Sequence, residues 1–537
     1  MDTVYYGGPI VTMEDKDRDA SPEAVLVRKG MIQKVGTLKE VMDAAGQNVK
    51  KCNLEGKCLM PSFIDAHGHV VMTGQMALFA DLSECKSFDD IEMTMRKFVA
   101  DNKVDEKHVA VGFGYDHNFL IEQAQPGKAV LDKVSKDVPI MIMHVSGHLG
   151  CANSAMLELA GINEETENPQ GGLIGRDEGS NEPNGYLEEA AMLEVQKTLT
   201  KRVKPELGKI FRGMQENYIA SGVTTVQEGA ANAMSMKLLK LASVLGKLKV
   251  DVVAYPLISD GGEKIVAKNK GMLNKYKKHI KIGGYKMILD GSPQGRSAWM
   301  SQPYLGGEES YCGYPWISDE EAEKYAKLAV DSNMQLLAHC NGDAASQQYL
   351  DAYEKALVES ANPNKNELRP VMIHCQTVRN DQLDRTARLN MIASIFVGHV
   401  YFWGDIHMKN FGPERGNHIS PVKDALDRGI KVNFHQDSPV TKPSMLHSIW
   451  CAVNRISREG NIIGEDQKIG VYEALKAVTI DAAYEYFEED SKGSIKEGKR
   501  ADLVILDKSP LEVAPEEIKD IRVMETIKDG KSIFMRK

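Results

Sequence analysis

From about residue 222 onward, short apolar runs typical of β-strands alternate with amphipathic helices. A capping box at 318–321 predicts a helix through about Asp331, and the apolar run 334–339 follows it as a strand. Such alternation predicts parallel strands joined by crossover helices. It constrains the fold more than any other feature of the chain.

Eight apolar runs fit this pattern, which is the number of strands in a (β/α)8 TIM barrel. They cover residues 60–66, 222–228, 250–256, 281–289, 334–339, 369–374, 391–396 and 430–436. A barrel of this kind takes about 250 residues, whereas the chain has 537. The sequence therefore predicts an α/β fold with a central barrel and further domains.

The residues outside the barrel pattern are predicted to form two other parts. Short β-rich runs occur at both ends of the chain, and neither end has enough strands for an independent sheet. We therefore predict one small β domain from 1–57 and 488–537, and a barrel from 58–82 and 211–487. The interval after the first barrel strand is too long for one βα unit, so 83–210 is predicted to be an insertion domain over the barrel mouth.

A His-Gly-His motif at 67–69 lies where the first apolar run ends. Two residues two positions apart in an extended chain face the same side, so both imidazoles can bind one metal ion. Similar residues lie in or just after later strands, and the C-terminal ends of barrel strands converge on one face. The sequence thus predicts a metal centre made from His67, His69, Lys286, His339, His374 and Asp437.

These residue types suit zinc, although another divalent metal is an alternative. Bound zinc lowers the pKa of water to about 7, and two ions about 3.5 to 4 Å apart can hold the resulting hydroxide between them. Lys286 fits a two-ion centre if carbon dioxide has converted its amine to a bridging carbamate. The alternative for Lys286 is an ordinary salt-bridged lysine.

These residues resemble the ligand set of the amidohydrolase superfamily. More narrowly, the chain resembles amidohydrolase family 3, the YtcJ-like branch that includes N-substituted formamide deformylase. The motifs that carry the resemblance span most of the chain and are Pro61 to His69, Ser146-Gly147-His148 with Asn153-Ser154, Gly283-Gly284-Tyr285-Lys286 with Asp290-Gly291-Ser292, His339 with Gly342-Asp343-Ala344, Asp437-Ser438-Pro439, and Gly493-Ser494-Ile495.

The resemblance implies a β-sandwich beside the barrel and hydrolysis of a carbon–nitrogen bond in a small-molecule amide, with zinc as the usual metal. It implies a buried ion bound by His67, His69 and Asp437. A second, exposed ion would be bound by His339 and His374, with carbamylated Lys286 bridging the two. It also gives Asp437 a catalytic role as base and then acid. A homodimer is a further suggestion of the resemblance.

Substrate contacts are predicted on loops that follow strands, where ligand-binding residues often lie. His148 falls in the predicted insertion, and Arg296 follows the fourth barrel strand in a glycine-rich loop. Tyr115 and Asp116, with the adjacent His117, are further candidates. Stabilisation of the loop is the alternative role for His148 and Arg296.

Charge and hydropathy narrow the range of functions. A net charge of −10 without a concentrated basic face gives no reason to expect a nucleic-acid partner. The chain has neither a signal-peptide pattern nor an apolar run long enough for a membrane helix, so a cytoplasmic protein without membrane partners is predicted. Two alternatives to an amide hydrolase stay open: a deaminase of the same superfamily with one ion, and a binding protein that keeps the barrel without catalysis.

Overall fold

The computed structural model describes residues 2–14, 21–117, 119–145, 149–169, 172–199, 202–203, 206–306 and 310–537. Two compact units are present. One comprises Met1–Val71 with Gln215–Lys537, and the other comprises Met72–Met214.

The first unit contains a parallel eight-stranded barrel. Its strands, in order, are Phe63–Ile64, Val223–Ala231, Asp251–Pro256, the interrupted strand Ile280–Ile282 and Gly284–Ile288, Gln335–Cys340, Val371–His374, Ile392–Ile395 and Val432–Phe434. The last strand closes onto the first through backbone hydrogen bonds from Asp437 N to His67 O (3.2 Å) and from His69 N to Ser438 O (2.8 Å). Most strand residues are buried, as expected for parallel strands covered on both faces.

The fourth barrel strand is interrupted at Gly283. A Cβ atom at this position would lie 2.6 Å from the Tyr255 hydroxyl, so a side chain would clash with the neighbouring strand. The Gly283 N–H donates to Ala254 O (3.1 Å), which keeps the two strands aligned across the interruption. Lys281 therefore lies near the beginning of this strand and Lys286 near its end.

The predicted helix after the capping box is present as Asp319–Asp331, with the Ser318 side chain accepting a hydrogen bond from Glu321 N. The other helices of this unit that follow the first barrel strand are Glu216–Ala220, Ala233–Val244, Gly262–Lys268, Asp343–Glu359, Asn380–Arg388, His399–Asn417, Val422–Asp427, Met445–Asn454, Val471–Ala477 and Ile480–Glu485. Short 3-10 helices cover Ile258–Asp260, Lys270–Met272, Lys365–Glu367, Glu465–Gln467 and Pro515–Asp520. Ala482, Ala483 and Tyr486, at the last of the α-helices, pack with strand residues in the barrel core.

The two chain ends build a β-sandwich. One sheet consists of Met31–Gly36, Ala24–Arg28, Thr3–Tyr6 and Lys50–Asn53, and the other of Lys531–Met535, Val523–Lys528, Leu503–Leu506 and Cys58–Pro61. Apolar residues from both ends, among them Val25, Ile32, Leu59, Leu503 and Ile527, share one core. The helix Leu38–Ala45, capped by Thr37 and Glu40, belongs to this part.

The second unit has a six-stranded mixed sheet. Its strands are Gly172–Arg176, Pro183–Glu189, Leu149–Ala152, Ile140–His144, Ala110–Tyr115 and Ala80–Asp81. The helices are Phe88–Asn102, Gly127–Val134, Ser154–Ala160, Ala190–Leu199 and Leu207–Gly213, and Val70–Met76 begins at the boundary between the units. Alternate residues of Ile140–His144 enter two separate apolar clusters, one on each face of the sheet.

These elements confirm the predicted fold class: a TIM barrel, a small β-sandwich from both chain ends and an insertion after the first barrel strand. One predicted strand is divided. Of residues 60–66, only Phe63–Ile64 joins the barrel, because Cys58–Pro61 pairs with Leu503–Leu506 in the sandwich. Within the described ranges, no helix combines the length and the apolarity that crossing a bilayer requires.

Candidate metal centre

His67, His69 and Asp437 meet where the first and last barrel strands close the ring. Asp437 Oδ1 lies 3.6 Å from His67 Nε2 and 3.3 Å from His69 Nε2. The His67 side chain is 1% exposed, whereas that of His69 is 23% exposed. The backbone hydrogen bonds between these two segments fix the relative positions of the three side chains. They form a group that could hold one metal ion.

Lys286 reaches the same histidine from the fourth strand. Its Nζ lies 3.3 Å from His67 Nε2, and the residue is 1% exposed. Burial lowers the pKa of Lys286 to about 8, although Asp437 acts in the opposite direction. A larger fraction of this amine is therefore neutral near neutral pH than in an ordinary lysine. Only a neutral amine reacts with carbon dioxide, so the environment suits the predicted carbamate.

His339 and His374 come from the next two strands. Their ring centroids are 4.4 Å apart, and His374 Nε2 lies 3.9 Å from Asp437 Oδ2. His374 and Asp437 have backbone φ values of 72° and 52°. Such values are uncommon outside glycine and cost on the order of 1–3 kcal/mol, a strain that is typical of functional sites.

Three of the four proposed histidine ligands are held through Nδ1. Their Nδ1 partners are Gln227 Oε1 for His67 (2.6 Å), Asp290 Oδ1 for His339 (3.1 Å) and His435 Nε2 for His374 (3.3 Å). A histidine that binds a metal usually engages its other nitrogen in this way, which fixes the ring and its tautomer. The Nε2 atoms of His67 and His374 are directed toward Asp437, while Nε2 of His339 lies 3.3 Å from Asn341 Nδ2.

The six predicted ligands thus come together at the C-terminal end of the barrel. Among the described residues, His374 Nε2 has no hydrogen-bond partner, although the side chain is only 3% exposed. A buried polar atom without a partner costs about 1–3 kcal/mol, unless a bound group supplies the contact. The donor set of imidazoles, one carboxylate and a modifiable lysine fits divalent metal ions of the zinc type.

A family model described as the amidohydrolase family matches residues 51–534. The chain belongs to the amidohydrolase family. It is 28% identical to the N-substituted formamide deformylase of Arthrobacter pascens, over 96% of this chain and 95% of that protein. It is 26% identical to YtcJ of Bacillus subtilis (strain 168), over 99% of both.

A solved structure of an uncharacterized metal-dependent hydrolase from Pyrococcus horikoshii OT3 shares the fold of this amidohydrolase. The TM-score is 0.75 at 23% identity, over 96% of this chain and 99% of that one. The family match assigns the protein to the amidohydrolases, and the shared fold agrees with that assignment. The sequence motifs predict this superfamily and its YtcJ-like branch, and the family match and the similarity to YtcJ confirm that prediction.

Sequence reasoning missed a cluster of polar side chains that supports the proposed ligands of this amidohydrolase. Gln227 Nε2 donates to Ala66 O (2.6 Å) and lies 3.2 Å from Glu485 Oε1, while Glu485 Oε2 accepts from Asn433 (2.7 Å). Gln227, Asn433 and Glu485 are all fully buried. Burial raises the pKa of Glu485 to about 8, against the effect of its hydrogen bond from Asn433. A polar residue inside an apolar barrel strand, as at Gln227 and Asn433, is the signal that would have found two of the three.

His435 and Asp290 lie beside the proposed ligands. His435 is fully buried between His374 and Ser394, whose hydroxyl lies 3.0 Å from His435 Nδ1. Burial lowers the pKa of His435 to about 3, so its imidazole is neutral at physiological pH. Asp290 accepts hydrogen bonds from the backbone N–H groups of Asn341 (3.0 Å) and Gly342 (2.7 Å), which fixes the loop next to His339.

The residues predicted to contact the substrate have protein partners in the structure, and their contact with a substrate stays a prediction. Arg296 donates to Asn410 Oδ1 (3.0 Å) and Gly306 O (3.2 Å), which are contacts within the loops. Tyr115 is fully buried in the second unit and donates to Gln125 Oε1 (2.8 Å). Asp116, in the same unit, lies 3.2 Å from His144 Nε2. His148 falls outside the described residues.

Proposed function

We propose that the protein hydrolyses a carbon–nitrogen bond in a non-peptide amide, of the N-formyl or N-acyl type. The observation that supports this most directly is the meeting of His67, His69 and Asp437 with buried Lys286 at the C-terminal end of the barrel. The name of the Arthrobacter pascens relative, N-substituted formamide deformylase, gives the substrate class that we extend to this chain.

In this proposal the side chains divide between two zinc ions. His67, His69 and Asp437 would hold the more enclosed ion, in keeping with their shared contacts. His339 and His374 would hold the second, and carbamylated Lys286 would bind both. When bound, such ions lower the pKa of water to about 7 and polarise a substrate carbonyl.

Asp437 carries the proton transfer in the proposed reaction. Burial alone would raise the pKa of Asp437, but its hydrogen bond with His69 lowers it, so the carboxylate is ionised and able to accept a proton. Its Oδ1 faces His67 and His69, while its Oδ2 is directed toward His374. Asp437 would accept the proton of the attacking water and donate it to the leaving nitrogen.

The test is turnover of a panel of N-formyl and N-acyl amines by the zinc-loaded protein, with formate or acid and free amine measured together. Asp437→Asn is expected to lower kcat/KM by about 10²- to 10⁴-fold, the range for loss of an acid–base group. Asp427→Asn is the matched control, because Asp427 is exposed and pairs with Lys423 on the same helix.

The same assay separates the proposal from its alternatives. Release of ammonia from amino-substituted rings, with one zinc ion per chain, would favour a deaminase. Full zinc loading without turnover across the panel would favour a binding protein. Equal activity of Asp437→Asn and the wild type would contradict the assigned proton transfer.

A further inference from the structure

A second cluster of ligand-type side chains lies in the Met72–Met214 unit. The strands Ala110–Tyr115 and Ile140–His144 run parallel, and Tyr115 pairs with His144 in register. Asp116 and His117 directly follow the first of these strands, so all three potential ligands lie at the carboxyl edge of the sheet. Metal and cofactor sites often form where the ends of parallel strands meet.

The spacing of the three ligand atoms matches a tetrahedral metal site. His144 Nε2 lies 3.2 Å from Asp116 Oδ1 and 3.3 Å from His117 Nδ1, and the latter two atoms are 3.9 Å apart. With zinc–nitrogen bonds of about 2.0–2.1 Å, two ligands of a tetrahedral zinc ion are about 3.3 Å apart. These three side chains would need only small movements to bind one ion.

Two kinds of arrangement can explain the contacts of His144 Nε2. In one, Nε2 carries a proton and shares it between Asp116 Oδ1 at 3.2 Å and the Nδ1 lone pair of His117 at 3.3 Å. In the other, all three atoms present lone pairs to one cation, which makes every contact favourable. The second arrangement is the one in which two imidazoles and a carboxylate act together as ligands.

We propose that Asp116, His117 and His144 form a further metal site, for a divalent cation of the zinc type. Asp116 and His117 are 23% and 28% exposed at their side chains, so a water molecule completes the coordination from the solvent side. His144 is 7% exposed, and its ring lies edge-on to that of Tyr115, with the centroids 5.5 Å apart. The ion would join the ends of two strands, which differs from the substrate contact predicted for Asp116.

Metal stoichiometry of the full chain tests this site. Protein stripped with chelator, reloaded with zinc and freed of excess by gel filtration is expected to bind one zinc ion more than Asp116→Asn or His144→Leu. His108→Leu is the matched control, because His108 also contacts an aspartate, Asp105, at 2.6 Å in the same unit but belongs to no three-ligand group. Equal zinc content in the wild type and both site variants overturns the proposal.

A direct measurement on the wild type covers the case in which a variant does not fold. Crystals grown with zinc are expected to show an anomalous peak within about 2.2 Å of the three ligand atoms. The absence of that peak in crystals that show zinc at the barrel centre means that a protonated His144 bridges Asp116 and His117 without a metal, and it overturns the proposal. The ions proposed for the barrel depend on Asp437, whereas the site in the Met72–Met214 unit does not. Asp437→Asn is therefore expected to retain this peak, and failure of either proposal leaves the other testable.

Discussion

Lys281 and Lys286 lie five positions apart on the same barrel strand, and their surroundings differ. Both are buried, with 5% and 1% of their surface exposed. Lys281 forms an ion pair with Glu488 and donates to Tyr486 O (2.8 Å). Lys286 instead has its ammonium group 3.3 Å from a histidine nitrogen. The lysine at the beginning of the strand is paired with a carboxylate, whereas the lysine at the end contacts one of the proposed metal ligands.

Other buried charged residues at the N-terminal end of the barrel are also paired with opposite charges, as Lys281 is. Asp251 Oδ2 lies 2.7 Å from Lys492 Nζ and 2.6 Å from Lys528 Nζ, while Oδ1 is 2.8 Å from His279 Nδ1. Lys528 belongs to the sandwich, so this paired cluster connects the sandwich to the barrel. A cleft of about 640 Å³ opens here, lined in part by Lys281 and Lys492. Buried charge alone therefore does not distinguish the two ends: the carboxylate of Asp437 faces histidine nitrogens at the proposed metal centre, whereas that of Asp251 faces two lysines at the other end.

The largest expected effect is the loss of turnover on metal removal. Chelation is expected to lower kcat/KM by about 10³-fold or more, because the ions supply several kcal/mol of transition-state stabilisation. The fold should persist, since the paired charges of the N-terminal end need no metal. The measurement is turnover and circular dichroism before chelation, after it and after zinc is restored. Undiminished turnover of the stripped protein would contradict a metal-dependent reaction.

Exchange of each lysine for methionine tests the comparison itself. Lys286→Met is expected to reduce bound zinc and to lower kcat/KM by more than about 100-fold, with little loss of stability. Lys281→Met is expected to leave the zinc content unchanged but to lower the free energy of unfolding by about 3 kcal/mol, because Glu488 loses one of its two buried lysine partners and keeps only Lys492. Zinc per chain and urea unfolding midpoints distinguish the two. Equal effects of both variants on either quantity would refute the proposed division of roles.

Asp251→Asn is expected to show a smaller, pH-dependent effect on stability. Burial would raise the pKa of Asp251, but Lys492, Lys528, His279 and Arg500 hold it well below 3.8. A carboxyl group whose folded-state pKa is lowered stabilises the protein above its unfolded-state pKa, and this contribution is lost as the pH falls through the folded-state value. Above pH 5 the variant should lose about 1.5 to 3 kcal/mol, the value of a hydrogen bond to a charged group.

The difference between wild type and Asp251→Asn should shrink as the pH is lowered below about 3.8, because the carboxyl group is then protonated in the unfolded chain but still ionised in the folded protein. Urea unfolding at a series of pH values measures it. Asp260→Asn serves as the control, since Asp260 is exposed. A difference that grows toward acid pH would mean that Asp251 is not held as an anion by its neighbours.

The fold could be predicted from local patterns, because apolar strands and helix caps are each defined by residues that are close together in the sequence. Prediction and structure differ at Cys58–Pro61. There one apolar run contributes strands to two sheets, and hydropathy does not show which strand each part pairs with. The ligands were predictable for a similar reason: each lies at or just beyond the end of a strand, and the barrel brings those ends together.

The support beneath the ligands was not predictable from such patterns. Glu485 follows all eight barrel strands in sequence, and its place under His67 depends on how the helix Ile480–Glu485 packs into the barrel core. Asp116 and His144 are separated by 28 positions, and only the register of two parallel strands brings them together. Contacts of this kind depend on the packing between elements, which a single sequence does not specify.

Gln227→Met tests that support and is expected to have the smallest effect on the metal centre. Gln227 Oε1 lies 2.6 Å from His67 Nδ1, and its amide is oriented by Ala66 O and Glu485. Methionine has a similar length but offers only a weak acceptor, so the His67 ring loses the contact that directs Nε2 toward the centre. Loss of such a contact typically lowers metal affinity by about 10- to 100-fold.

The affinity of Gln227→Met for zinc is measured by competition with a chelator of known strength. Gln335→Met is the matched control. Gln335 is also buried, and its amide donates to the backbone oxygen of Glu485 (3.0 Å), the residue whose side chain Gln227 contacts, yet Gln335 has no hydrogen bond to a proposed ligand. Both variants should lose stability, but only Gln227→Met should lose zinc affinity. If Gln335→Met weakens zinc binding equally, the effect comes from a general loss of packing in the barrel core. Gln227 would then have no specific role in positioning His67.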